Sequence, residues 1–302
     1  MSALSEVQSW RVRHTTSYAY DDVVTDSIGL GHLVPRSLPW QQVASYAVTT
    51  DPEASDVSHD EDHYGNVATY FQITEPHTRL EIEAVSEVTV SDAAPPEDDL
   101  GRAWETARPL VSPRLPGAWL ATDFALPSAA VAQVPEAAAY AEASFGTGRP
   151  LGEAVTDLVA RLHADLDYDP TATTVTSTVA EVLASRAGVC QDFAHLALAC
   201  LRSQGLAARY VSGYLATDPA PGRDRVVGAD ASHAWVAVWV PSPDGGDGSW
   251  LAVDPTNDQR AGTRYVTVAW GRDYGDVAPL KGVIVTEARE STLTVSVDVA
   301  PR

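Results

Sequence analysis

The stretch Ser185–Leu206, SRAGVCQDFAHLALACLRSQGL, governs how the rest of the chain is read. Gly188 closes one segment. Cys190 then opens an apolar run with helical spacing that Gly205 stops. Such a helix carries a thiol at its N-terminus, where the partial positive charge of the aligned peptides favours thiolate over thiol. The chain has only two cysteines. Cys200 lies inside the same run, among Leu198, Ala199 and Leu201, and reads as a small buried hydrophobe. Cys190 could be the same, since that is the usual fate of a free cysteine. Its place at the helix start is what sets it apart.

Two further residues give the thiol a context. His233 opens the strand-like run HAWVAVWV, and Asp254 closes WLAVD. If these runs are antiparallel neighbours joined by the PSPDGGDGS loop, one residue starts its strand and the other ends its own. Both then stand at the same sheet edge, and the Cys190 helix needs only to pack across it. A thiol attacks an acyl carbon as thiolate. A histidine then protonates the leaving amine, and an aspartate holds the ring in the required tautomer. Taken singly, His233 reads as an ordinary histidine and Asp254-Pro255 as a strand-ending turn. Only together are the three a parts list for thiol acyl transfer. His195, five residues after Cys190, points away from the helix start. His59 and His63, near Asp60 and Asp62, match no familiar metal spacing and read as part of a loop. The sequence also lacks a GxSxG elbow, a GxxxxGK[ST] loop, HExxH and CxxC.

The bulk numbers agree with an enzyme-sized globular chain. It has 302 residues, 45% hydrophobic and 20% charged. The formal net charge of -21 and the absence of basic clusters argue against nucleic acid as a partner. No apolar run reaches the roughly 18 residues that cross a bilayer, so no membrane partner is expected. The start MSALSEVQSWRVRHTT has no apolar signal core, which gives a cytoplasmic expectation. Cys190 and Cys200 on one helix would be about 15 Å apart, beyond disulfide reach. Lys281 is the sole lysine, so an enzyme joining glutamine to lysine would have little of itself to crosslink.

The chain divides by composition. Residues 1–92 form an all-β, sandwich-like domain, with strands expected at Ser9–Ala19, Gln42–Thr50, Asn66–Ile73 and Arg79–Val90. Residues 93–134, acidic and proline-rich at first, read as a linker followed by an irregular segment over the next domain. Residues 135–290 form the catalytic core. Its expected helices are Pro135–Phe145, Gly152–Leu166, one opened by a Thr178/Glu181 capping box, and Cys190–Gln204. Its strands are expected at Ala208–Leu215, His233–Val240, Trp250–Val253 and Gly262–Trp270, with Val283–Val299 also extended. Residues 291–302 are a terminal strand that can return to pair with the first domain. Helices followed by strands make the class α+β.

Five ordered blocks resemble the transglutaminase-like core of bacterial proteins. They are GVCQDFAH (Gly188–His195), AARYVSGY (Ala207–Tyr214), SHAWV (Ser232–Val236), DPTN (Asp254–Asn257) and GRDYGDVAPLKG (Gly271–Gly282). The stretches TSYAY (Thr16–Tyr20), LVPR (Leu33–Arg36), YGN (Tyr64–Asn66) and HTRLEIEA (His77–Ala84) resemble the β region that precedes this core. The resemblance implies a papain-like fold, with the cysteine helix packed on an antiparallel sheet. It implies Cys190 as nucleophile, His233 as general acid/base and Asp254 as the residue that orients His233. Such proteins often carry an acidic residue just after HAWV. Ala237 stands there here, a change expected to affect surroundings or substrate rather than the chemistry. No metal or organic cofactor is implied.

The expected activity is acyl transfer or hydrolysis on a peptide or protein amide through a Cys190 thioester. The Cys190 N–H would supply part of the oxyanion hole, with Tyr168 and Gln191 as neighbouring candidates for a second donor. Two other readings share the fold: a non-catalytic peptide-binding or scaffold module, and a CoA-dependent amine acetyltransferase, which the blocks fit less well. The Gly271–Gly282 segment either lines the site or packs the domain as a rigid loop.

Overall fold

Residues Val7–Gly31 form one strand of 25 residues, β1, several times the ordinary length. The computed structural model describes residues 7–217, 232–242 and 246–302, so part of the PSPDGGDGS loop lies outside the described residues. The strands β2 (Gln41–Asp51), β3 (Asp56–Glu61), β4 (Val67–Ile73) and β5 (His77–Ser91) follow, in the order β2-β5-β1-β4-β3. The first half of β1 pairs with β5, and its last residues, Ser27–Gly31, pair with β4. The register along β5 shifts between Ala19 and Val24, so β1 bends from one half-sheet into the other. Alternation in β5 turns Leu80, Ile82, Ala84, Val88 and Val90 inward.

The strand β3 departs from the expectation of a loop around His59. Every residue of DVSHDE is exposed, so an edge strand here shows no hydrophobic alternation to read. His59 bonds Thr69 on the neighbouring strand at 2.9 Å. Among the described residues no group of three or more His, Cys, Asp or Glu side chains is arranged for a metal ion.

After β5 come short turns rather than a bare linker: α1 (Glu97–Leu100), a 3-10 turn at Trp104–Ala107, α2 (Ala118–Ala121) and a second 3-10 turn at Thr122–Ala125. Trp104 and Ala107 are buried in the main core, and Ala118, Ala121 and Phe124 pack on Trp239. Then follow α3 (Pro135–Glu142), α4 (Leu151–Asp165), β6 (Asp167–Tyr168), α5 (Val179–Ser185), β7 (Ala187–Gly188) and α6 (Cys190–Ser203). Thr178 and Glu181 cap α5 reciprocally: Thr178 N donates to Glu181 Oε2 at 2.8 Å, and Glu181 N to Thr178 Oγ1 at 3.3 Å.

The helix α6 is buried on nearly every side, from Gln191 to Arg202. It lies on a five-stranded antiparallel sheet of β8 (Ala208–Leu215), β9 (Ser232–Val240), β10 (Ser249–Asp254), β11 (Gln259–Arg260) and β12 (Tyr265–Gly271), in the order β11-β10-β9-β8-β12. Alternate residues of β9 face the helix: Ala234, Val236, Val238 and Val240 join the core around Phe193, Leu196 and Leu201. Trp235 and Ala237 face the other side with Val211 and Tyr265. No helix among the described residues is long and apolar enough to cross a membrane.

A short helix, α7 (Tyr274–Val277), then leads to β13 (Leu280–Thr286) and β14 (Ser291–Pro301), and both pair with β1. The sequence assigns residues 280–290 to the core and reads Val283–Val299 as one extended run. The pairing instead puts β13 in the first sheet and breaks the run between Thr286 and Ser291. Along Gly29–Gly31, backbone pairing with Lys281 and Leu280 outweighs continuity with the preceding segment.

The two sheets are joined by buried amides. Among the described residues β12 is an edge strand of the second sheet, so its outer backbone groups must find partners other than a paired strand. Gln41, fully buried, donates from Nε2 to the Thr267 carbonyl at 2.7 Å and accepts the Thr267 N–H at 2.8 Å. Asn66 does the same for Trp270, with both bonds at 2.9 Å. Each side chain stands in for a strand that is not there.

Gln41→Leu would leave the Thr267 N–H buried and unpaired and remove the amide donor to its carbonyl. The expected loss is about 2–4 kcal/mol in urea unfolding. An unchanged midpoint would show that β12 does not rely on this amide.

Candidate active site

The helix α6 begins at Cys190, and its start is fixed by Asp192. Asp192, 1% exposed, accepts the Val189 N–H at 2.8 Å and the Thr173 hydroxyl at 2.6 Å on Oδ2. A carboxylate in the first turn also suits the helix dipole. Gly188 packs against it: a Cβ there would lie 2.7 Å from Asp192 Oδ2. The sequence GVCQD therefore needs glycine two residues before the thiol so that an aspartate two residues after it can turn back. The parallel pair β6–β7 sets Tyr168 beside Gly188, at the mouth of the site.

The structure brings Cys190, His233 and Asp254 together. His233, in β9 opposite Gly213 of β8, lies beside the Cys190 side chain. Its Nε2 donates to Asp254 Oδ2 at 2.6 Å, because a carboxylate only accepts. That leaves Nδ1 as the nitrogen not engaged by Asp254. Asp254 ends β10 and is fully buried. Tyr265 donates its hydroxyl to Oδ2 at 2.7 Å, and Asn257 donates its amide at 2.7 Å. The backbone N–H groups of Thr256 and Asn257 donate to Oδ1 at 2.9 and 3.3 Å. These last two follow from the Asp-Pro-Thr-Asn turn itself.

The electrostatics follow from these contacts. Burial works against an ionised Asp254, but bonds from His233, Asn257 and Tyr265 hold its carboxyl below the usual range. Burial also opposes a protonated His233. The Asp254 bond and the neighbouring Cys190 outweigh it and raise the imidazole to about 9. The second thiol is different: burial pushes Cys200 up to about 12.

Other residues singled out in the sequence take structural or peripheral places. His195 is buried, lowered to about 4 by burial, and accepts the Tyr274 N–H at 3.2 Å. Through that bond the Gly271–Gly282 segment packs against α6. Gln191 is buried with its amide toward the Val175 carbonyl at 3.4 Å. Tyr168 is 58% exposed, and its hydroxyl is raised by partial burial and by Cys190. Sequence reasoning missed Tyr265 and Asp192. Asp192 lay within the block already singled out around Cys190. Nothing local marks Tyr265, which reaches Asp254 only because β12 and β10 lie in one sheet.

The comparisons agree with this architecture. Residues 10–89 match the Bacterial transglutaminase-like N-terminal region, and residues 138–255 match the Transglutaminase-like superfamily. An uncharacterized protein of Mycobacterium tuberculosis is 48% identical over 301 residues, covering 99% of this chain and 94% of its own. One from Mycobacterium leprae is 36% identical over 280 residues, covering 91% and 93%. Among solved structures, a candidate cysteine protease from Cytophaga hutchinsonii shares the fold, with a TM-score of 0.72 at 19% identity over 98% of this chain and 94% of its own. The chain belongs to the transglutaminase-like superfamily, with the bacterial transglutaminase-like N-terminal region ahead of its core.

Proposed function

We propose that the protein is a cysteine-dependent enzyme that forms a thioester from a peptide or protein amide on Cys190. The observation that carries this reading is Cys190 at the start of a buried helix, lying beside His233, which is bonded to the buried Asp254. A protonated imidazole beside the sulfur stabilises thiolate. The thiolate attacks the amide carbon, and the carbonyl oxygen takes the negative charge. The Cys190 N–H, without a partner inside the helix, faces that developing charge. His233 gives its proton to the leaving nitrogen, the C–N bond breaks, and the thioester remains. Water or a primary amine then attacks the thioester and loses a proton to His233, and Cys190 departs as thiolate. The Cytophaga protein, a candidate cysteine protease, is in line with the hydrolytic outcome. The reaction needs no metal or organic cofactor, and the protein is read as cytoplasmic.

A glutamine-containing peptide, incubated with and without a primary amine and followed by mass spectrometry, tests the reading. Ammonia release or cleavage that disappears in Cys190→Ser supports it, and amine incorporation marks transamidation. Turnover unaffected by Cys190→Ser would overturn it.

Iodoacetamide at neutral pH should alkylate Cys190 faster than free cysteine and leave Cys200 unmodified. A Cys190 rate no greater than that of free cysteine would favour a scaffold that has lost its chemistry.

The pH profile depends on His233. Its folded value, about 9, lies above the ordinary 6.5. Its contribution to stability is therefore full below about 6.5 and is lost as pH rises through about 9. Activity should fall over that same upper range. Asp254→Asn removes the charge that holds the proton. It should lower kcat/KM by about 10³–10⁴-fold and move the basic limb toward neutrality. A basic limb that stays in place would show that Asp254 does not set the state of His233.

Tyr265→Phe deletes one hydrogen bond to the Asp254 carboxylate and little volume. A loss of about 10–100-fold in kcat/KM is expected, with the fold kept by circular dichroism. Unchanged kinetics would confine Tyr265 to packing.

A further inference from the structure

Among the described residues two arginines are buried, and they are satisfied differently. Arg202 is 3% exposed and Arg209 is 6% exposed. Arg202 donates to the carbonyls of Phe124 and Ala208 at 3.0 and 2.9 Å and to the Ser128 hydroxyl at 3.2 Å. The Arg209 side chain makes no hydrogen bond or ion pair with the described residues, and its buried Nε has no partner among them. Its guanidinium is stacked on two indoles, 3.6 Å from the ring centre of Trp270 and 4.2 Å from that of Trp250. Stacking occupies the faces of the guanidinium. Its five N–H bonds lie in its plane and still need acceptors.

Nothing nearby among the described residues supplies them. The residue opposite Arg209 on β9 is Ala237, which has no polar group. Arg36, also stacked on Trp270 at 3.6 Å, adds like charge. Arg209 lines a cavity of about 560 Å³ between the two sheets, on the face of β8 and β9 away from α6. That volume suits a small organic molecule. Two acidic residues border the cavity. Glu97 is paired with Arg260 at 3.2 Å, and Asp92 is exposed. In a chain of net charge -21, this is a local positive site enclosed by aromatic walls.

We propose that this cavity binds a small organic anion, with its carboxylate or phosphate forked on Arg209 and its flat apolar body against the half-buried Trp40. The fork matches a two-oxygen acceptor, and the Trp40 indole offers a face for stacking. The site is distinct from the Cys190 side of the sheet. It shares one wall residue with the candidate active site: Tyr265, whose hydroxyl bonds Asp254.

Isothermal titration of the full chain with benzoate and with phenyl phosphate, with benzyl alcohol as the neutral control, tests the proposal. At least one anion should bind saturably at one site per chain and raise the melting temperature. Benzoate alone would mark a carboxylate ligand, and phenyl phosphate alone a phosphate. Arg209→Met should weaken binding by about tenfold or more, as should Ala237→Glu, which places a carboxylate opposite Arg209. The second variant serves if the first does not fold, since it adds the missing counter-charge instead of removing the guanidinium. Failure of both anions to bind would overturn the proposal. So would equal binding to the variants, or binding of benzyl alcohol as tight as that of the anions.

Discussion

Among the described residues the outer edge of β12 has no neighbouring strand, and the way its backbone is satisfied holds the two sheets in one arrangement. An edge strand with exposed apolar neighbours would pair with another chain or fray. Here Gln41 and Asn66, both from the first layer, meet the backbone of Thr267 and Trp270 in both senses. This ties the N-terminal sheet to the very strand that carries Tyr265. The core is continuous across the same boundary: Trp10, Val12, Val88 and Val90 of the first sheet pack with Leu100 and Leu151 of the second layer. The first sheet is therefore more than an appended module. It holds in place a strand that supports Asp254.

Asp254 shows how a buried charge is kept. An isolated carboxylate removed from water is costly, and most such groups would take up a proton. Five donors converge on this one, and three of them come from the turn that ends its strand. The charge so kept is what holds a proton on His233 next to a sulfur. Arg209 is the counter-case elsewhere on the same sheet: it too is buried and charged, but it has aromatic faces in place of acceptors. One group is satisfied from within the chain, and the other is left facing a cavity.

Much of this was legible in the sequence where the signal is local. The α5 capping box, the apolar face of α4 and the eight residues of β8 each follow from spacing or from residue type. Cys190 at a helix start was legible because glycine and an apolar period bracket it. The strand β3 was not legible, because an exposed edge strand carries no hydrophobic pattern. Nor was β13, whose valine-rich run says strand but not which sheet; its exposed side chains give no preference, and backbone pairing with β1 decides.

Most of the elements, the order of the blocks and the residue types that can do acyl chemistry are properties of the sequence taken alone. They depend on neighbours within a few positions, where backbone geometry fixes the period. Three contacts belong to the folded chain instead: Tyr265 reaching Asp254, Gln41 and Asn66 closing the edge of β12, and Ala237 standing opposite Arg209. Each of these depends on how strands are ordered and registered in the sheets rather than on neighbours along the chain. Register is set by the burial of whole faces and by hydrogen bonds to distant backbone, and no short window of sequence contains that information.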